Sequence, residues 1–336
     1  MPVRYGSDLS EHHAVRKSAG LFDISHMSEF KISGPQAADF LDFALVSQVS
    51  KLADGRAKYT MLCSKSGGVI DDLIVYRLST ESFLIIANAS GRAAVWQALK
   101  ERSAGFELDE LQDQSDDLAL VAIQGPKATE MLQRLTATDL APLKYYSIAS
   151  AEVAGYPAHL ARTGYTGEDG FEILVDANNA SGLWQKLLTE GGEELTACGL
   201  ACRDTLRLEA GMPLYGHELN LEANPFQAGL GRIVNLDRDF VGEPALQSTQ
   251  QAQPRLYGLR GEGRRAARAE YEVFLPGSES TIGTITSGAL SPTLGHPIAM
   301  AYLDGTLQAG DRVEVDVRGT RIEFEVVDLP FYRRAK

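Results

Sequence analysis

The sequence predicts an α+β fold: two related domains, each an antiparallel sheet backed by helices, followed by a small all-β barrel. Three observations predict it. An internal repeat comes first. Ile32-Ser33-Gly34-Pro35 recurs as Ile123-Gln124-Gly125-Pro126, and each copy opens a helix with Pro at or near its first turn. The apolar positions that follow match at one spacing, Ala37, Phe40, Leu41 and Ala44 against Ala128, Met131, Leu132 and Leu135. That is the stripe of an amphipathic helix. Next, each half carries a strand and then a helix in register. Ser82-Phe83-Leu84-Ile85-Ile86 leads to Trp96, and Gly170-Phe171-Glu172-Ile173-Leu174 leads to Trp184, the only tryptophans of the chain. Finally, from Leu256 onward the pattern changes to short strands with Gly and Pro turns, at 271–275, 281–286, 298–302, 312–317 and 321–327. Such spacing reads as a barrel or roll, with loops at 286–288 and 291–295.

Composition narrows the function classes. The 336 residues are enough for two or three domains, at 44% hydrophobic and 23% charged content. No apolar run approaches the ~18 residues of a membrane span. A net charge of −13 argues against nucleic-acid binding. Cys63, Cys198 and Cys202 are too few for a disulfide framework and imply a reducing compartment. His12 and His13 fall in a polar helix and read as solvated, while His26 falls in a strand-like run. No metal-ligand spacing is present. No targeting segment is visible, so a cytoplasmic protein is expected.

Taken in order, residues 8–19 read as a helix that Ser7 or Ser10 caps and Gly20 ends. Residues 21–27 are a strand candidate, and 29–33 continue extended to Gly34-Pro35. The stretch 67–77 reads as a Gly-Gly turn feeding an apolar strand interrupted by Asp71 and Asp72. Side chains alternate across a strand, so the two carboxylates cannot share a face. One is expected to face water, while the other faces inward and needs a partner. A polar strand start is the plainer reading. In the second half this region is read as replaced by the glycine-rich run 162–170, from which Tyr165 projects. Glu172 stands where the first half has Leu84, either as a second buried acid or as an outward-facing strand position.

Residues 199–212 read as a helix with Arg203 and Arg207 on one face and Asp204 within reach of Arg207. This is either a salt-bridged surface helix or a platform on which Arg203 offers a guanidinium fork to a carboxylate ligand. A short helix starts within 238–246, and the Gln-rich stretch 247–253 is the best linker.

Several of these motifs carry a resemblance. Leu-Phe-Asp-Ile-Ser-His-Met at 21–27, the runs 67–73, 162–172 and 199–211, Tyr215-Gly216, and 286–295 resemble, in order and nearly end to end, the T-protein (aminomethyltransferase) family of the glycine cleavage system. Two departures stand out. The chain opens directly on Met-Pro-Val-Arg-Tyr-Gly, where family members carry further residues ahead of that segment. His217-Glu218-Leu219 stands where many members have Gln-Glu-Met. The resemblance implies a cloverleaf of three domains around a central folate channel. Residues 1–30 with 118–245 would form the first domain, 31–117 the second and 254–336 the barrel. It implies transfer of a methylene group from the aminomethyl-dihydrolipoyl arm of a lipoylated H-protein to tetrahydrofolate, with release of ammonia. Asp72 matches the family's catalytic carboxylate and Glu172 an acid that reads the pterin edge. Tyr59, Tyr146 and Tyr165 match aromatics lining the folate, and Arg203 a residue toward its glutamate. Asn88 and Tyr332 match less distinctively. Asp71, on the opposite strand face, is expected to matter much less than Asp72.

The chemistry agrees with these residue types. A carboxylate can accept two hydrogen bonds from a pterin edge. Another can take up a proton and stabilise an iminium-like cation without a nucleophilic Ser or Cys. Rival readings are a folate-dependent demethylase, the folate domain of a flavin oxidase, and a non-catalytic folate-binding protein of iron–sulfur maintenance. The flavin oxidase would need a Gly-x-Gly-x-x-Gly after a strand, and the iron–sulfur protein a Lys-Gly-Cys-Tyr-type motif. Neither motif is present, and 238–242 reads Arg-Asp-Phe-Val-Gly instead.

Overall fold

Two sheets lie face to face, each backed by helices on its outer side. The computed structural model describes residues 1–335. The first-half sheet has the order Ala57–Cys63, Val69–Ser79, Ser82–Ala87, Ser28–Ser33, Glu110–Asp113. The second-half sheet has the order Ile148–Val153, Tyr156–Ala161, Gly170–Asp176, Leu118–Gln124, Ala19–Asp23, Leu195–Ala197. All pairings are antiparallel except that of Ala19–Asp23 with Leu195–Ala197. Helices Ala37–Ala44 and Arg92–Arg102 cover the first sheet through Phe30, Ile32, Leu73 and Val75. Helices Ala128–Gln133 and Ala180–Gly191 cover the second through Leu21, Val121, Ile123 and Ile173. The inner faces share a third core that includes Phe22, Ile24, Tyr76, Leu84, Ile86, Leu120, Ala122 and Leu174. Alternation along each strand supplies both faces.

The repeat has a backbone cause. Gly34 and Gly125 end equivalent strands at φ 133° and 138°. A Cβ on Gly125 would lie 2.4 Å from the Ser18 carbonyl oxygen. Only glycine makes that turn, and Pro then leads to the helix. Trp96 stacks on Phe30 and Trp184 on Tyr5, at 5.8 and 5.9 Å.

The first helix is Asp8–Lys17, capped by Ser7, and Gly20 already belongs to the strand Ala19–Asp23. The expected strand 21–27 is split. Residues 24–27 are the crossing between sheets, so His26 sits in a turn. His12 is buried rather than solvated, with its ring bonded to Thr205 and Thr293. The C-terminal strands close a six-stranded barrel of Arg255–Gly261, Pro297–Leu303, Thr281–Leu290, Glu272–Phe274, Arg312–Asp316 and Arg321–Val327. Residues 286–288, expected as a loop, continue a strand past a bulge next to Ile285. Leu208 packs the helix Leu200–Glu209 onto this barrel against Ala289, Ile298 and Met300.

Candidate functional site

The site is built on the strand Val69–Ser79. Gly68 starts it because the loop after Leu219 presses on the backbone there. A Cβ on Gly68 would lie 1.8 Å from the Leu221 carbonyl oxygen, and Val69 N–H donates to Asn220 and Ala223. Leu62 pairs with Asp71 but Cys63 with Val69, so Ile70 is an extra residue and the strand is bulged just before the two carboxylates. Asp71 and Asp72 do point to opposite faces. Neither, however, is the solvent-facing residue expected. Asp71 is 0% exposed. Its carboxylate accepts from Asn88 N at 3.0 Å, Asn88 Nδ2 at 2.7 Å and Asp72 N at 3.1 Å. Its partner is the start of the next helical segment, which a water-facing reading had no reason to supply.

Asp72 faces the space between the sheets and keeps some accessible surface. Tyr59 Oη donates to its Oδ2 at 2.8 Å and Asn88 Nδ2 to its Oδ1 at 2.8 Å. Burial pushes the Asp72 carboxyl above the ordinary range, and the bonds from Tyr59 and Asn88 pull the other way. The Tyr59 hydroxyl is pushed well up by burial and by Asp72. It therefore remains a donor.

Glu172 lies across the seam. Its strand register matches that of Leu84, because Glu172 pairs with Ala122 as Leu84 pairs with Lys31. It is a buried acid and not an outward-facing position. Its Oε2 accepts from Thr163 Oγ1 at 2.5 Å and Tyr76 Oη at 3.3 Å. Burial raises the carboxyl, and these donors together with the Arg203 charge oppose the rise. Tyr76 and Thr163 were missed by sequence reasoning. The signal for Tyr76 was present: alternation puts Asp72, Ile74 and Tyr76 on one face, and a buried phenol needs a partner. Tyr215 was singled out only as part of a motif. It lies close enough to Asp71 and Asp72 to feel both charges.

Tyr146 is held at φ 58°, with its amide donating to the Arg162 carbonyl and its own carbonyl accepting from Ala57. A tyrosine in the left-handed region is strained, and both sheets fix it there. Tyr165 does not project freely, since its hydroxyl donates to the Pro213 carbonyl. The Arg203 guanidinium lies over the Tyr165 ring, 4.7 Å from its centroid. Tyr146 and Tyr165 both lie within electrostatic reach of Asp72.

The two arginines of the helix divide their roles. Arg207 is 1% exposed and bonded to Asp204, Glu218 and Ser287. The salt-bridged reading holds for it, though inside the protein. Arg203 has no hydrogen-bonded or ion-paired acceptor for its guanidinium among the described residues. Burial lowers its pKa, and Glu172 is among the charges that oppose this. Tyr332 stands apart from the others. Its ring lies under Arg16 at 4.1 Å, and its amide donates to Glu209. Thus Asp72, Tyr59, Asn88, Tyr146, Tyr165, Glu172 and Arg203 are brought to one end of the inter-sheet seam, whereas Tyr332 is held by Arg16 and Glu209.

Two paired sheet-and-helix domains and a closed barrel thus frame a ligand-sized polar site, an acid–tyrosine–arginine cluster between the sheets. The comparisons give the chain a family. Residues 1–238 match the model described as GCVT N-terminal domain, and residues 255–333 match the glycine cleavage T-protein C-terminal barrel domain. An aminomethyltransferase of Saccharopolyspora erythraea is 54% identical over 99% of this chain and 92% of its own length. One of Streptomyces coelicolor is 53% identical over 100% of this chain and 92% of its own. The crystal structure of glycine cleavage system aminomethyltransferase T from Bartonella henselae superposes with a TM-score of 0.92 at 34% identity, covering 100% of this chain and 93% of that one. The chain belongs to the glycine cleavage T-protein family and is an enzyme of the aminomethyltransferase class.

Proposed function

We propose that the chain moves the methylene carbon of an aminomethyl-dihydrolipoyl arm, carried by a lipoylated H-protein, onto tetrahydrofolate. The carbon–nitrogen bond to ammonia breaks, and a folate nitrogen bonds to the carbon. The carbon–sulfur bond then breaks as the second folate nitrogen closes the ring. The products are 5,10-methylenetetrahydrofolate, ammonia and the reduced arm. The observation that carries this reading is Asp72, the partly accessible carboxylate held by Tyr59 and Asn88. Asp72 orients the attacking nitrogen, accepts its proton and stabilises the cationic carbon.

Glu172 accepts hydrogen bonds from the pterin edge through Oε1, since Oε2 is taken by Thr163 and Tyr76. Tyr59, Tyr146 and Tyr165 wall the ring system. Arg203, without an acceptor of its own, binds the glutamate carboxylates. Asn88 has spent its N–H groups on the two aspartates, so it offers folate only its carbonyl oxygen. The folate lies in a channel between the sheets closed by the barrel, with domains at 1–27 plus 118–245, 28–117 and 254–336; the first boundary moves from the expected 30/31 because the strand Ser28–Ser33 belongs whole to the sheet of the second domain. No helix among the described residues is long and apolar enough to cross a membrane. Separately, Cys63, Cys198 and Cys202 are all free, as suits a reducing compartment, and on that ground we infer a cytoplasmic protein.

Ammonia release from aminomethylated H-protein with tetrahydrofolate tests the reading. Asp72→Asn is near-isosteric and is expected to melt as the parent does while losing about 10²–10⁴-fold in turnover. Turnover within a few-fold of the parent would remove Asp72 from the chemistry.

A further inference from the structure

We propose that Asp71 is a positioning residue for the reaction, acting through Asn88 to hold the Asp72 carboxylate. This rests on the reading of Asp72 above. Asn88 has two N–H groups on Nδ2, and they face Asp71 Oδ1 at 2.7 Å, Asp72 Oδ1 at 2.8 Å and the Asp72 carbonyl at 3.0 Å. Asp71 also accepts from the Asn88 amide at 3.0 Å and the Asp72 amide at 3.1 Å. Asp71 is therefore the fixed point of a chain from carboxylate to carboxamide to carboxylate. It binds Asn88 at main chain and side chain, and Asn88 donates its remaining N–H to Asp72. Burial pushes the Asp71 carboxyl up to about 7, while the N–H donors of Asn88 and Asp72 oppose the rise; both its oxygens accept here, which dictates which end of the carboxamide faces Asp72.

Two further observations show that this arrangement is not ordinary packing. Asn88 occupies the N-cap position of a helical segment, Ala89–Gly91 running into Arg92–Arg102, yet its side chain makes no capping bond. Asp176 holds the equivalent position in the second half and does cap, accepting from Asn178 N at 2.9 Å. In the first half the capping bond has been given up and the side chain turned to the aspartates. Gly91 makes room for it, because a Cβ there would lie 2.3 Å from Asp71 Oδ2. The residue type at 91 thus sets where the Asp71 carboxylate can sit.

The test uses the full chain, aminomethylated H-protein and tetrahydrofolate, with turnover normalised to folate-binding sites. Asp71→Asn puts an N–H donor against Asn88, and is expected to lower kcat about 10–100-fold, the scale of a misplaced catalytic group. KM for tetrahydrofolate should stay within about twofold. Gly91→Ala displaces the Asp71 carboxylate without altering any polar group, and should lower kcat in the same sense. The double variant Asp71→Asn/Asn88→Ala should lose no more than the worse single variant, as members of one chain do. Normal kcat per site in both Asp71→Asn and Gly91→Ala, or multiplying losses in the double variant, would overturn the inference. Asp72→Asn runs alongside: if it retains turnover, the reading of Asp72 has failed. If it is inactive while Asp71→Asn and Gly91→Ala are normal, only the positioning role has failed.

Discussion

The two halves share a strand order, and register allows them to be compared residue by residue. Tyr76 pairs with Leu84 and with Ala57, as Ala161 pairs with Glu172 and with Ile148. Counting along matched strands sets Asp72 against Pro157, Asn88 against Asp176 and Tyr59 against Ser150. The seam between the sheets therefore has two ends related by the repeat. One holds an acid, an amide and a phenol. At the other, Ser150, Pro157 and Asp176 join Leu78, Leu84 and Leu118 around an apolar cleft of about 390 Å³. The exchange of Leu84 for Glu172 turns the same asymmetry inward, because both residues face the seam. The scaffold is thus common to both ends, and a handful of side chains decides which end can do chemistry. The second half adds Ala19–Asp23 between Leu118–Gln124 and Leu195–Ala197, where the first half pairs Ser28–Ser33 directly with Glu110–Asp113.

The sharpest way to break this comparison within the helix Leu200–Glu209 is to remove each arginine in turn. Arg207→Ala leaves the buried Glu218 carboxylate without its cation, and should cost about 3–5 kcal/mol of stability, the scale for breaking a buried pair. Arg203→Ala removes a guanidinium with no protein acceptor. It should leave the melting temperature near that of the parent and weaken folate binding by about 1.5–3 kcal/mol. Calorimetry of folate binding beside a melting curve reads both. Loss of stability without loss of affinity in Arg203→Ala would make it a structural residue like its neighbour.

Glu172→Gln comes next, because it moves the second half toward the neutral state of its Leu84 counterpart. Burial already disfavours the Glu172 charge, so melting without ligand should stay level or rise. Folate affinity should fall by about 1.5–3 kcal/mol. The ligand-induced rise in melting temperature should shrink with it. An unchanged ligand-induced rise would leave Glu172 a strand residue and nothing more.

Much of this asymmetry was legible in the sequence, and the rest failed for identifiable reasons. The Gly-Pro turns and the tryptophans mark the repeat because they are local requirements of the backbone. The Leu84–Glu172 match followed from that frame. The run 162–170 was misplaced as the counterpart of the Asp71–Asp72 region. It enlarges the connection that is only Thr80-Glu81 in the first half, and the true counterpart of the Asp-bearing strand is Tyr156–Ala161. Glycine content marks a tight loop, but only strand pairing decides which segments correspond. Asp71 was misread for a related reason: its partner Asn88 lies on the neighbouring strand's end, and alternation says which face a side chain takes but not what waits there. The same limit hid the bond from Tyr76 to Glu172, which spans the two sheets.

Glu29 offers a smaller effect with a pH signature. It lies opposite Ile86, is 0% exposed, and neither carboxylate oxygen has a partner. Burial pushes its pKa up to about 8 from an ordinary 4.5, with the Arg92 charge opposing and Asp113 adding to the rise. A raised folded-state value means that the folded protein holds the proton longer than the unfolded chain. This contribution is then fully favourable below pH 4.5 and is lost as pH rises through about 8. Glu29→Met should therefore stabilise by about 1–3 kcal/mol above pH 8, the cost of an unsatisfied buried polar group. The gain should shrink as pH falls toward 4.5. Denaturant melts at both ends of that window check it, and a gain independent of pH would mean that the carboxyl is not what costs stability.

The smallest expected effect bears most directly on the two ends of the seam. Asp176 and Asn88 hold one position in the repeat and have been put to different uses. Asp176 is exposed and caps its own helical segment through Asn178. Asp176→Ala should therefore cost about 1 kcal/mol of stability, the ordinary worth of an N-cap, and leave turnover per folded enzyme unchanged. Asn88→Ala removes no capping bond, because none is made. Its first consequence falls on Asp72, which loses a donor at 2.8 Å, so kcat should fall well beyond anything Asp176→Ala produces. Stability is the less telling axis for Asn88, since the buried Asp71 also loses its donors there. The comparison turns on the ratio of turnover loss to stability loss in each variant. That ratio should be large for Asn88 and near zero for Asp176. Equal ratios would mean that the two positions still do the same structural work, and that the divergence of the two ends lies in the aspartates alone.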